Sequence, residues 1–159
     1  MALSLESAGL VRQKAREFSQ SPLIFYSLKA FFHHHAQFNN NSDLQFLPIN
    51  GTDIDAAGGQ DHAIDAACRV YFVYLKKAAT ATDTFYVLFD DATNDAGAET
   101  DARVQLALLE SAEEAIAVYP KGLVMAAGLV SKGYSDGYTN ATDASEADTP
   151  NGFLIVGAS

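Results

Sequence analysis

Two segments of the chain, Val70 to Leu75 and Phe85 to Phe89, are apolar at every position. Strict alternation from Val70 to Leu75 puts Val70, Phe72 and Tyr74 on one side of a strand and Tyr71, Val73 and Leu75 on the other. From Thr84 to Phe89 the same reading opposes Phe85, Val87 and Phe89 to Tyr86 and Leu88. An antiparallel sheet with one wet face would instead alternate apolar and polar residues. A second layer of this chain or a second subunit must therefore cover the other face, and Tyr71, Val73, Leu75, Tyr86 and Leu88 are the expected subunit interface.

Further strands are expected at about 103–109, 114–119, 122–131 and 152–157, with a short one around Leu44 to Leu47. Tyr119-Pro120-Lys121-Gly122 reads as a type I turn joining two antiparallel strands directly. Leu123 to Val130 would also suit a buried helix, but its neighbours favour a strand. The polar, glycine-bearing stretch 48–67 reads as a long loop, and Tyr134 to Pro150 as an ordered surface loop before the closing strand.

The pattern from Leu5 to Phe38 is helical. Leu10, Val11, Ala15 and Phe18 recur about once per turn, and a break follows at Ser19 to Ser21. Ser21 then Pro22 is an N-cap followed by proline at the first helical position, where its missing N–H costs nothing. The next helix puts Ile24, Leu28, Phe31, Phe32 and His35 on one side and ends at Asn39 to Asn41. The fold expected is mainly β: an antiparallel, jelly-roll-like β-sandwich over residues 42–159, with a helical N-terminal arm over residues 1–41.

Charge separates the same two zones. The net charge is −10, yet residues 1–35 carry Arg12, Lys14, Arg16 and Lys29 against Glu6 and Glu17, a balance of +2. The rest holds six basic and eighteen acidic residues, a balance of −12. Repulsion from phosphate argues against direct nucleic-acid binding by that acidic body. The basic arm, with Phe18, Phe25, Phe31 and Phe32 beside its cations, is the expected partner-binding element. The opening residues lack an apolar run behind a basic start, and no window approaches the roughly 18 apolar residues of a membrane span, so a cytoplasmic origin without membrane contact is expected.

Candidate chemistry is sparse. Cys68, the single cysteine, opens an apolar strand and is expected to be a small buried hydrophobe. His33, His34 and His35 are adjacent, so on a helix their rings diverge by about 100° each and cannot converge on one ion. The remaining histidine, His62, falls in a predicted loop, so no predicted strand offers the histidines that a metal-binding jelly-roll enzyme carries. In the acidic loop after Phe89, counting from Asp91, glycine falls seventh instead of sixth and Ala102 stands where a bidentate Glu is needed, which excludes an EF-hand. A looser calcium site at Asp90, Asp91 and Asp95, or at Asp53 and Asp55, stays open beside the plain reading of solvated acidic loops. No G-x-S-x-G, P-loop or G-x-G-x-x-G motif occurs, and the expectation is no enzyme, no cofactor and no native metal site.

The arm Leu5 to Phe38, the doubly apolar strands Val70 to Leu75 and Thr84 to Phe89, and the closing segment Asn151-Gly152-Phe153-Leu154-Ile155-Val156-Gly157 together resemble the capsid decoration, or cement, proteins of tailed bacteriophages. The resemblance is architectural and covers the whole chain without a diagnostic motif. It implies a homo-oligomer, a trimer by analogy, that sits on the virion surface after synthesis in the host bacterial cytoplasm. The arm would dock on the major capsid protein, and no catalytic residue is carried over. The competing expectation is a carbohydrate- or receptor-binding β-sandwich module of a viral fibre or adhesin, with the 134–149 loop and its Tyr134 and Tyr138 as the rim.

Overall fold

The computed structural model describes residues 2–18, 21–38, 43–49, 62–77, 84–92, 102–109, 113–134 and 150–159. Two helices, α1 (Ala8–Phe18) and α2 (Pro22–Phe38), follow a two-residue strand, β1 (Glu6–Ser7). The Ser7 hydroxyl accepts the Leu10 N–H at 3.3 Å and caps α1. The Ser21 carbonyl accepts the Phe25 N–H at 3.1 Å, so α2 opens at the Ser-Pro step, as its sequence predicts. Leu5 to Ser7, expected to be helical, runs extended because β1 pairs with the next strand.

The remaining strands are β2 (Asp43–Ile49), β3 (His62–Ile64), β4 (Cys68–Lys76), β5 (Thr84–Phe89), β6 (Ala102–Leu108), β7 (Glu114–Met125), β8 (Leu129–Tyr134) and β9 (Asn151–Ala158). They form one sheet in the order β1-β2-β9-β4-β7 and another in the order β3-β8-β5-β6. Pairing is antiparallel throughout: β2 with β9, β3 with β8, β4 with β7, and β5 with β6. That is one long hairpin rolled over on itself, the connectivity of a jelly roll. The expected β-sandwich with a helical N-terminal arm is the observed fold.

Between the sheets lies a core that includes Leu47, Ile49, Val70, Val73, Leu75, Tyr86, Leu88, Leu154 and Val156. Cys68 is fully buried there, and burial, then the negative charge of Asp90, pushes its thiol pKa up to about 11. A second apolar layer lies outside the five-stranded sheet, where Val11, Ala15, Ile24, Leu28, Phe31 and Phe32 of the helices meet Leu44, Tyr71, Phe72, Tyr74, Phe153 and Ile155. The cover demanded by the doubly apolar β4 is thus supplied by the chain's own arm. On the four-stranded sheet, Val87, Phe89, Val130 and Tyr134 form a third buried cluster on the face opposite Tyr86 and Leu88. The alternation expected for β5 is therefore observed.

In β4 the alternation breaks. The register with both neighbours shifts between Val70 and Phe72, so Tyr71 is a bulge. One extra residue moves everything after it to the other face. Val70 therefore shares the inter-sheet core with Val73 and Leu75, while Tyr71, Phe72 and Tyr74 all point to the helices. This corrects the face assignment made from strict alternation.

The Tyr119-Pro120-Lys121-Gly122 segment is not a hairpin turn. Strand β7 pairs with β4 on both sides of it, Val118 with Phe72 and Leu123 with Val70, so these residues bulge within one strand opposite Tyr71. Strand β7 is an edge, where proline needs no donor for a ladder. Gly122 has φ 75°, and a Cβ there would lie 2.8 Å from Cβ of Arg69 and 2.9 Å from the Tyr71 ring, so the site requires glycine. The strand expected at 122–131 in turn splits at residues 126–128, where the chain crosses from one sheet to the other.

Asp90 holds that crossing. Its carboxylate accepts the Ala127 N–H at 2.7 Å and an N–H of Arg103 at 2.8 Å. Burial alone would raise its pKa, but hydrogen bonds from Ala127, Ala126, Arg103 and Gly128 hold it below the usual carboxylate value.

Two outcomes follow. Phe153→Ala should weaken the fold by about 3–5 kcal/mol in chemical denaturation, since the ring is fully buried between sheet and helices. Asp90→Ala should cost about 2–3 kcal/mol near neutral pH. Because the folded pKa of Asp90 is lowered from 3.8, its contribution is complete above that value and disappears as pH falls through the folded one; denaturation of both proteins across acid pH should show their curves converging.

Candidate docking surface

The arm is fixed at several points before it presents anything to solvent. Lys14 Nζ lies 2.6 Å from Glu6 Oε1 and ties α1 to β1. The Glu114 carboxylate accepts hydrogen bonds from the Ser21 hydroxyl at 3.2 Å and the Tyr74 hydroxyl at 3.0 Å, joining the start of α2 to β4 and β7. Beneath the helices, Phe153 packs flat against Phe72 at 5.8 Å and 8°, with Phe46, Tyr74 and Phe18 around it at 5.0, 5.4 and 5.5 Å.

The residues expected to bind a partner divide by this geometry. Phe31 and Phe32 are buried as part of the lid. Phe18 is half-exposed but leans edge-on against Phe153. The guanidinium of Arg12 lies over the Phe32 ring at 5.9 Å, and that of Arg16 over Phe25 at 5.2 Å, so cation–π contacts bind α1 to α2. Lys29 is exposed on α2, and Phe25 is 43% exposed.

Two residues outside the expected set complete the surface: Leu23 is 58% and Tyr26 70% exposed. The signal was present, because Leu23, Tyr26 and Ala30 recur at helical spacing on the face opposite Ile24, Leu28 and Phe31. Beside this ridge, an open groove of about 410 Å³ runs between α2 and β7, lined by Ser27, Ala30, Phe31, His34, Val118 and Pro120.

The residues expected at a subunit interface lie elsewhere. Val73, Leu75, Tyr86 and Leu88 are inside the inter-sheet core, and Tyr71 lies beneath α2 against Phe31 and His35. Their apolar character serves the chain's own packing. All five are enclosed in this conformation.

The histidines behave as helix geometry dictates. His35 is buried, 5.4 Å from the Phe31 ring and 5.0 Å from Tyr71, whereas His33 and His34 lie on the exposed side. His62 begins β3, so one strand does carry a histidine, contrary to expectation. Among the described residues no group of three His, Cys, Asp or Glu is arranged to hold a metal. Asp90 serves the β7–β8 crossing, while Asp53, Asp55 and Asp95 lie outside the described residues. Tyr134, expected on a binding rim, is buried edge-on to Phe89 at 6.5 Å, and Tyr138 lies outside the described residues. No described helix is long and apolar enough to cross a membrane.

Desolvation lowers the pKa of His35 from 6.5, so the folded state favours the neutral ring. The unfolded chain then takes up the proton more readily below that value. The stabilising contribution is complete above 6.5 and is lost as pH falls through the depressed folded value. Urea denaturation at about pH 7.5 and about pH 5 should show a larger acid loss for the wild type than for His35→Phe. Searches with the whole chain match no protein-family model, no curated protein and no solved structure.

Proposed function

We propose that this chain is a non-enzymatic structural subunit of a virion, a capsid decoration or cement protein. In this reading it self-associates, docks on the major capsid protein at the capsid surface and stabilises the shell. The observation that carries it is the exposed apolar pair Leu23 and Tyr26, with Phe25 against the Tyr26 ring, on a helix whose inner face is anchored to the sandwich. Exposed apolar side chains gathered on one element mark a contact surface more readily than single ones scattered over a fold. Because the helix is already ordered, docking does not bear the entropy cost of folding an arm. Removing apolar surface from water yields about 25 cal/mol per Å² before association costs, and the gain repeats at every copy on a shell. Lys29 on α2 and Arg16 on α1 supply positive charge beside the ridge for steering towards an acidic surface.

The test is co-sedimentation with undecorated shells of the virus that encodes the chain. The wild type should pellet with the shells and raise their resistance to heat. Leu23→Ser and Tyr26→Ser, both at exposed positions, should together weaken binding by at least about tenfold with little change in melting temperature. A wild-type chain that stays in the supernatant would rule the reading out, and full binding by the double variant would move docking off this ridge.

A further inference from the structure

We infer that Arg12 and Arg16 form a carboxylate-binding groove on α1 that receives the acidic body of a second copy of this chain. The groove is an open one of about 660 Å³, lined among the described residues by Gly9, Arg12, Gln13, Arg16 and Glu17. Gly9 leaves its wall open, since a Cβ there would meet nothing within 4 Å. The two arginines stand one helical turn apart, and each guanidinium is held over a ring of α2. A guanidinium within about 6 Å of a ring centroid spends no N–H donor on that contact, so its donors stay available for a carboxylate, which a guanidinium takes in bidentate fashion. The ring contacts also restrain the side chains before a ligand arrives, which reduces the ordering cost of binding.

Among the described residues neither arginine has an ion-pair partner. The acidic residues near them are otherwise engaged: Glu17 accepts a hydrogen bond from Gln13 at 2.8 Å, and Glu6 holds Lys14. The groove thus sets two arginines against the one carboxylate of Glu17, a net positive charge in a chain of net charge −10. Charge complementarity selects the occupant. Residues 1–35 balance at +2 and residues 36–159 at −12, so another copy presents the opposite charge to the one the groove offers. A contact from the arm of one copy to the body of the next is heterologous, and it closes into a ring or continues as a chain according to the rotation it imposes. This rests on the proposed self-association and moves the contact from Tyr71, Val73, Leu75, Tyr86 and Leu88, which are buried, to α1.

The full chain is tested by light scattering at micromolar concentration in about 50 mM and about 500 mM salt, since screening acts directly on such a contact. Assemblies at low salt that disperse at high salt are expected. Arg12→Glu with Arg16→Glu should raise the dissociation constant by at least about tenfold. Because both arginines also join the helices, Gln13→Glu is the second variant: it adds negative charge to the groove and leaves both stacks in place, and it too must weaken assembly. A monomer at both salt concentrations overturns the inference, as does an assembly indifferent to salt and to both variants. Shell co-sedimentation on the same samples separates the two proposals. Monomers that still bind shells sink this contact and leave docking standing, whereas salt-sensitive oligomers that ignore shells support the contact and remove the decoration reading.

Discussion

The stacked contact between Phe72 and Phe153, on adjacent strands of the larger sheet, is the point on which the rest of the molecule depends. These rings turn the outer face of the sheet into an aromatic floor, and such a floor cannot remain in water. Phe31 reaches Phe72 from above at 5.7 Å, and Phe18 reaches Phe153 at 5.5 Å, so both helices are held by the same pair of rings. Strand β9 is drawn tight from below. A Cβ at Gly152 would lie 2.0 Å from the Tyr74 carbonyl oxygen, so only glycine lets β9 approach β4 closely enough for Phe153 to reach its place.

The bulge at Tyr71 sets which residues contribute to that floor. Without it, strict alternation from Val70 would turn Phe72 and Tyr74 into the inter-sheet core, where a tyrosine hydroxyl needs a partner such as the one Tyr86 finds in Ser131 at 2.8 Å. With it, Tyr71 joins Phe72 under α2 and meets His35 edge-on. The bulge in β7 answers the one in β4, and Arg69 donates to the Lys121 carbonyl at 3.0 Å across the gap. The two irregularities form one feature. It lies beside the groove that Val118 and Pro120 line together with α2.

The two faces of the arm are physically coupled. Its inner face completes the core, and that fixation makes its outer face a rigid surface of Leu23, Phe25, Tyr26 and the stacked arginines. Any change that loosens the lid, including protonation of His35, also blurs the surface it presents. Stability and the proposed docking thus share one layer, and the strongest proposed contacts are carried by residues that do not themselves pack the sandwich.

The sequence by itself determined the strands Cys68–Lys76 and Thr84–Phe89, the break and restart of the helices at Ser21 and Pro22, and the inward face of α2. These are local signals of periodicity and capping, which a chain displays wherever it is folded. It also determined that β4 needed cover on both faces, but not what would cover it. The identity of the lid, the side taken by Val70 and Tyr71, and the use of Pro120 and Gly122 as a bulge were decided only by tertiary structure. Strand faces depend on register, and register depends on which residue of a distant strand stands opposite. A single unpaired residue reverses every later side chain without altering the local pattern. For the same reason the basic, aromatic character of the arm was legible, while its division into a buried lid and an exposed ridge waited on the sheet against which it packs.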